Sequence, residues 1–159
     1  TEFVVKGDTI SWQQVSTRHP YYKKFRIQSG DQATYMSNNP VIMIRYAHVL
    51  LIYAEAQARA TGTPSSEAYL AVNAVRNRAG LTGLLPGLSA ADFAAAVVAE
   101  RGWEFAGEWN RWFDLVRLEM VESANAGKHP DDLKPSGAIT HDKYHMPIPG
   151  NDALINPNL

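Results

Sequence analysis

The 159-residue chain contains no cysteine, which excludes disulfide bridges, thiolate metal sites and a thiol nucleophile. Its formal net charge is −1 and like charges form no long run, so neither nucleic acid nor an anionic membrane surface finds a polybasic patch. Long apolar stretches are missing too. The most apolar one, Val41 to Ala54, is interrupted by Arg45 and His48 and followed by Glu55, too short and too charged to span a bilayer. No glycine-rich phosphate loop follows a strand, and no G-x-S-x-G elbow is present. Thr1 opens the chain without a basic-then-apolar leader, and the irregular first forty residues are those expected of a piece of a longer protein.

What is present is mainly helical periodicity. Residues 1–39 read as loops and short strands, with a β-prone run at Phe3, Val4 and Val5 and a turn signal at Gly7-Asp8. From Pro40 the pattern changes. Arg45 to Ala60 reads as a helix with Tyr46, Val49, Leu50, Tyr53 and Ala54 recurring at three- and four-residue steps, ended by Gly62 and Pro64. Ser65 or Ser66 caps a second helix to about Ala79 with Ala68, Val72, Val75 and Ala79 inward, and Gly80 stops it. This makes a helical hairpin whose small-large-small spacing loosely resembles a tetratricopeptide-type unit. After a loop at Leu81 to Leu88, Ser89 and Asp92 approximate a capping box for a long third helix, which Gly102 and Gly107 are placed to bend. The Gly- and Pro-rich tail beyond Ser123 carries one strand-like piece, Lys143 to Met146.

The densest segment is Glu100 to Arg117, read as part of one continuous helix. At about 100° per residue, Val97, Val98, Phe105, Trp109, Trp112, Leu115 and Val116 share an arc. Arg101 and Glu108 fall inside that arc, with Glu104 and Arg111 on its border. Charges aimed into an apolar face require partners, so Arg101, Glu104, Glu108 and Arg111 are expected to form a structural ion network. Trp103, Trp109, Trp112 and Phe113 are expected in the core.

A catalytic reading competes with this. Glu100 and Glu104 are candidate carboxylates for glycoside hydrolysis, which needs two such groups about 5–9 Å apart on opposite sides of a sugar. Three carboxylates in one stripe, Glu100, Glu104 and Glu108, with Arg101 and Arg111 in reach, fit that poorly: adjacent guanidinium groups lower the pKa that a general acid needs raised. His141 and His145 have a metal-ligand spacing only on a helix, and an extended chain would hold them roughly 13 Å apart, so no metal site is assigned. No residue is singled out as catalytic, and no cofactor is implied. Trp12, Tyr21, Tyr22 and Tyr35 lie outside periodic helix, where flat rings can stack on the apolar faces of sugars; they are the candidate ligand-binding residues.

Five stretches carry a resemblance. IRYAHVLLIYAEA at 44–56, AVRNRAGL at 74–81, ERGWEFAGEWNRWFDLVR at 100–117, MPIP at 146–149 and NPNL at 156–159 resemble, in order, the conserved segments of the SusD/RagB family. The departures are His48 for a usual acidic residue, Gly102 for a usual Arg and Trp109 for a usual Gly. The resemblance covers about Pro40 to Leu159. It implies a C-terminal helical domain at 40–159, with 1–39 an irregular ligand-loop segment of a larger SusD-like fold. It also implies a non-catalytic surface lipoprotein of the bacterial outer membrane that binds a glycan or other nutrient for a SusC-like TonB-dependent transporter. The lipid anchor and leader of such a protein would lie outside this chain. A glycan-degrading enzyme using Glu100 or Glu104, and a purely protein-binding tetratricopeptide-like module, are the alternatives.

Overall fold

The computed structural model describes residues 2–5, 8–11, 24, 40, 42–126, 139–145 and 148–156. The chain divides into two compact units, Thr1–Arg45 and Tyr46–Leu159. In the first, β1 (Glu2–Val5) and β2 (Asp8–Ser11) pair antiparallel, Phe3 opposite Ile10 and Val4 opposite Thr9.

The second unit is helical. α1 (Tyr46–Thr61) and α2 (Ser66–Arg78) form the hairpin, and α3 (Ala90–Glu104) returns to pack along α1. Short helices α4 (Arg111–Arg117) and α5 (Val121–Ala126) follow, then a 3₁₀ turn at His141–Tyr144 and α6 (Gly150–Ile155). The helices start and stop on local chemistry. Ser65 Oγ accepts from the Ala68 N–H at 3.2 Å to cap α2, and Ser89 Oγ accepts from the Asp92 N–H at 3.1 Å to cap α3. α2 ends in a paired closure: Gly80, at φ 76°, donates to the Asn77 carbonyl, and Leu81 donates to that of Arg76.

Small side chains set the spacing. Ala54 and Ala58 of α1 and Ala68 and Ala71 of α2 are buried, and Leu51, Val72, Val75, Phe93, Val97 and Phe105 fill the core around them. Helices that meet through alanine approach closely, which gives a thin, tightly packed interior. Tyr69 meets Phe93 edge to face, with ring centres 4.7 Å apart, and its hydroxyl accepts from the Leu88 N–H.

Four expectations are corrected. The buried stripe of α1 is His48, Leu51, Ala54, Glu55 and Ala58, whereas Tyr46, Val49 and Tyr53 face outward, Tyr46 at 74% exposure. The apolar recurrence there marked the wrong face because the true inward face carries a histidine and a glutamate. Ala79 is exposed, since the chain already leaves α2 there. The third helix is not continuous to Arg117: it ends at Glu104, and the turn to α4 contains two left-handed residues, Gly107 at φ 78° and Trp109 at φ 65°. The tail piece around Tyr144 is a 3₁₀ turn rather than a strand, and the buried Tyr144 donates its phenolic hydrogen to the Glu122 carboxylate of α5.

Asn73 holds the middle of the 81–88 loop against α2 by acting as a backbone mimic. Asn73 Nδ2 donates to the Leu84 carbonyl at 3.1 Å while its Oδ1 accepts from the Leu84 N–H at 2.6 Å. Arg76 Nε adds a bond to the Thr82 carbonyl at 2.9 Å. Gly83 makes room, for a Cβ there would lie 2.8 Å from Asn73 Cγ. Replacing Asn73 by Ala strands both Leu84 backbone groups, so N73A is expected to lower unfolding free energy by about 1–3 kcal/mol in urea denaturation. G83A is expected to shift stability in the same direction by displacing the amide.

Candidate functional site

The buried charges come from α1, α3 and α4, and half-buried Arg76 and exposed Arg78 of α2 reach in to pair with two of them. Glu55 of α1 is buried and holds Arg117 of α4 through two parallel bonds, Nη1 to Oε1 at 2.8 Å and Nη2 to Oε2 at 2.7 Å. Arg59, one turn along α1, donates to the same carboxylate at 2.8 Å. Arg117 also donates to Asp114 Oδ1 from Nε and Nη2, at 3.0 and 2.8 Å. Buried Asp114 in turn accepts from Arg101 Nε of α3, at 2.9 and 3.1 Å. The result is an alternating chain, Arg59–Glu55–Arg117–Asp114–Arg101, that ties α1 to α4 and α4 to α3. Two further pairs tie α2 to α3: Arg76 to Glu100 and Arg78 to Glu104, both at 2.6 Å.

Aromatic rings complete the arrangement. The Arg101 guanidinium lies 5.3 Å over the Phe105 ring, and its buried Nη1 has no hydrogen-bond partner among the described residues. On Phe105, the buried His48 ring stacks at 3.8 Å with 11° between the planes. Arg111 reaches back across Gly102, where a Cβ would lie 3.1 Å from its Nη1, to donate to the Val98 carbonyl at 3.2 Å. A larger residue than glycine at 102 would press on that guanidinium.

The electrostatics follow from this geometry. Burial pushes the Glu55 carboxyl upward, but bonds and charge from Arg117 and then Arg59 outweigh it and hold it below the usual glutamate range. The bond to Glu55 raises the Arg117 guanidinium above its ordinary value against the opposing effect of burial, with Asp114 adding to the rise. At the tail, the bond from Tyr144 lowers Glu122, and the same bond raises Tyr144.

Of the residues expected to form an ion network, Arg101 lies between Asp114 and Phe105, and Glu104 holds Arg78. Arg111 binds the Val98 carbonyl, and Glu108 lies in the α3–α4 turn. Glu55, Arg76, Arg78, Asp114 and Arg117 were not among the expected members; each is a long-range partner that a single-helix wheel cannot reveal. Their signal lay in the motif stretches, where AEA, RNRAG and DLVR each carry charges inside an apolar pattern. The candidate ligand residues Trp12, Tyr21, Tyr22 and Tyr35 lie outside the described residues.

The expected aromatic core is corrected. Trp103, Trp109, Trp112 and Phe113 are all exposed, Trp109 at 84% and Phe113 at 69%. The break after Glu104 turns Trp109, Trp112 and Phe113 off the arc that a continuous helix would give, and Trp103 lies on α3 outside the buried face that holds Glu100, Arg101 and Glu104. Glu100 and Glu104 offer no acid–base pair to a sugar either, because both carboxylates are buried against guanidinium groups on one helix. His141 and His145 are the first residue and the C-cap of a 3₁₀ turn rather than sites along an extended strand. Among the described residues, no group of three or more His, Asp or Glu side chains is placed to hold a metal ion.

A helical hairpin whose next helix returns onto its first is packing consistent with the tetratricopeptide type. The SusD family profile matches residues 5–159, and the chain belongs to that family. SusD-family glycan-binding proteins are non-catalytic. The chain is 33% identical over 146 residues to SusD-like protein P2 of Formosa agariphila, a match covering 87% of this chain and 28% of that protein. SusD-like protein P25 of the same organism is 29% identical over 144 residues, covering 88% and 27%. Among solved structures, surface glycan-binding protein A from Bacteroides uniformis aligns with a TM-score of 0.63 at 30% identity, over 100% of this chain and 36% of that one. A SusD homolog from Bacteroides thetaiotaomicron VPI-5482 aligns with a TM-score of 0.57 at 31% identity, over 73% and 25%. The chain thus spans little more than a quarter of the length of these curated relatives.

Because Glu55 is held below its ordinary value in the folded state, its contribution to stability is complete at neutral pH. That contribution fades as pH falls below the unfolded carboxyl value of about 4.3 and through the folded one. E55Q is expected to lose about 1–3 kcal/mol at pH 7, the partial exposure of Arg117 softening the loss. Thermal melts across pH check this: the Tm gap between parent and E55Q is expected to narrow as pH drops below about 4.

Proposed function

We propose that this chain is the C-terminal helical part of a non-catalytic binding protein that captures a glycan at the bacterial cell surface and passes it to a SusC-like TonB-dependent transporter. The observation that carries the reading is the family match over residues 5–159, supported by the likeness over the whole chain to a surface glycan-binding protein. The sequestered Glu100 and Glu104 agree with binding rather than hydrolysis. In this reading the protein is a surface-exposed outer-membrane lipoprotein. The ion-paired helices are scaffold. Trp12, Tyr21, Tyr22 and Tyr35 of the 1–39 segment, the ligand-loop region that precedes the helical domain at 40–159 in sequence, supply rings for sugar stacking.

Affinity gel electrophoresis of the full-length protein against plant, fungal and host polysaccharides tests the reading; retardation by at least one is expected. Alanine at Trp12, Tyr21, Tyr22 and Tyr35 is expected to weaken that retardation, each by about three- to tenfold where the ring stacks on the ligand. Unchanged retardation in all four variants would move the ligand surface out of this segment. Silence across the whole panel would remove the glycan role.

A further inference from the structure

We infer that Trp109 is a ligand-stacking residue whose indole, mounted on the α3–α4 turn, takes the apolar face of a neutral sugar ring. The inference deepens the glycan-binding reading above and rests on it.

Two properties of Trp109 work against folding. Its indole is 84% exposed, so it contributes little to the core. Its backbone stands at φ 65°, a left-handed conformation in which a bulky side chain is an outlier. Gly107 fills the other left-handed position of the same turn at φ 78°, so glycine would serve at 109 without strain. Glu119, at φ 53°, shares the backbone conformation but presents a carboxylate to water, where exposure is natural. Backbone strain and an exposed large apolar ring coincide at Trp109, the pairing of features from which a binding role is inferred.

The mount is rigid on both sides. Phe105, just before the turn, is buried and stacked on His48, and the Arg101–Asp114 pair bridges from α3 across the turn to α4. Arg111, two residues on, is anchored to the Val98 carbonyl. A large ring on a fixed base binds with little loss of conformational freedom, which is how loops on rigid scaffolds come to carry recognition. The local charges select the ligand. The guanidinium groups of Arg101 and Arg111 turn inward to Asp114 and to a backbone carbonyl, so the turn directs neither toward an anionic ligand beside the indole. An uncharged ring with a flat C–H face fits that surface.

The test compares the full-length parent with W109G and W109F by affinity gel electrophoresis on amylopectin, laminarin, xyloglucan and galactomannan, with thermal melts alongside. W109G is expected to weaken binding to a polysaccharide that retards the parent by about three- to tenfold, while its Tm stays level or rises. W109F, which keeps a flat ring, is expected to stay within about twofold of the parent. Unchanged affinity of W109G for every polysaccharide the parent binds overturns this inference and leaves the binding reading intact. Lost affinity matched by a fallen Tm in W109G, and not restored in W109F, also overturns it. A parent that binds none of the four removes the neutral-glycan reading together with it.

Discussion

The bidentate contact between Glu55 and Arg117 is the interaction on which the helical arrangement depends. It fixes α4 on α1, and through Asp114 it fixes Arg101 and hence the C-terminal half of α3. Apolar area alone would leave these elements free to slide, because the core is thin and lined by alanine and valine. A two-bond guanidinium–carboxylate contact constrains distance and plane together, so it selects one register where hydrophobic packing tolerates several. Single bonds from Arg76 to Glu100 and from the more exposed Arg78 to Glu104 add polar ties between α2 and α3, beside the Tyr69–Phe93 ring contact.

This division of labour explains what was legible in the sequence. The hairpin could be read because its boundaries are written in local chemistry: Ser65 caps α2, Gly80 closes it, and Ser89 opens α3. The presence of buried charge near Arg101 and Glu104 was legible as well, since a helix wheel shows which residues point inward. The identity of the partners was not. Glu55 and Arg117 stand 62 residues apart, and no periodicity connects them. The inward face of α1 was misjudged for the same reason: His48 and Glu55 belong to the interior only because Phe105 and Arg117 arrive there from elsewhere in the chain.

The break after Glu104 shows the opposite failure. Sequence spacing alone allows a single helix to run through Gly107, and on that helix Trp109 and Trp112 fall on the apolar arc. Two left-handed residues, Gly107 and Trp109, redirect the chain and bring the large rings to the surface. A glycine in a helical pattern is a weak stop signal, and a tryptophan in the same conformation gives none at all. The segment that carries the family's strongest mark therefore plays two physical parts: its charges face inward and fasten helices, and its rings face outward.

The long sequence separation of the Glu55–Arg117 contact also bears on the order of assembly. α1, α2 and α3 are near neighbours in sequence and meet through apolar side chains, contacts that form with little loop closure. The Glu55–Arg117 pair closes a loop containing α2, α3 and the turn beyond. Its formation therefore certifies completion rather than initiation, and a chain stalled partway would be helical and collapsed yet still carry an open carboxylate on α1.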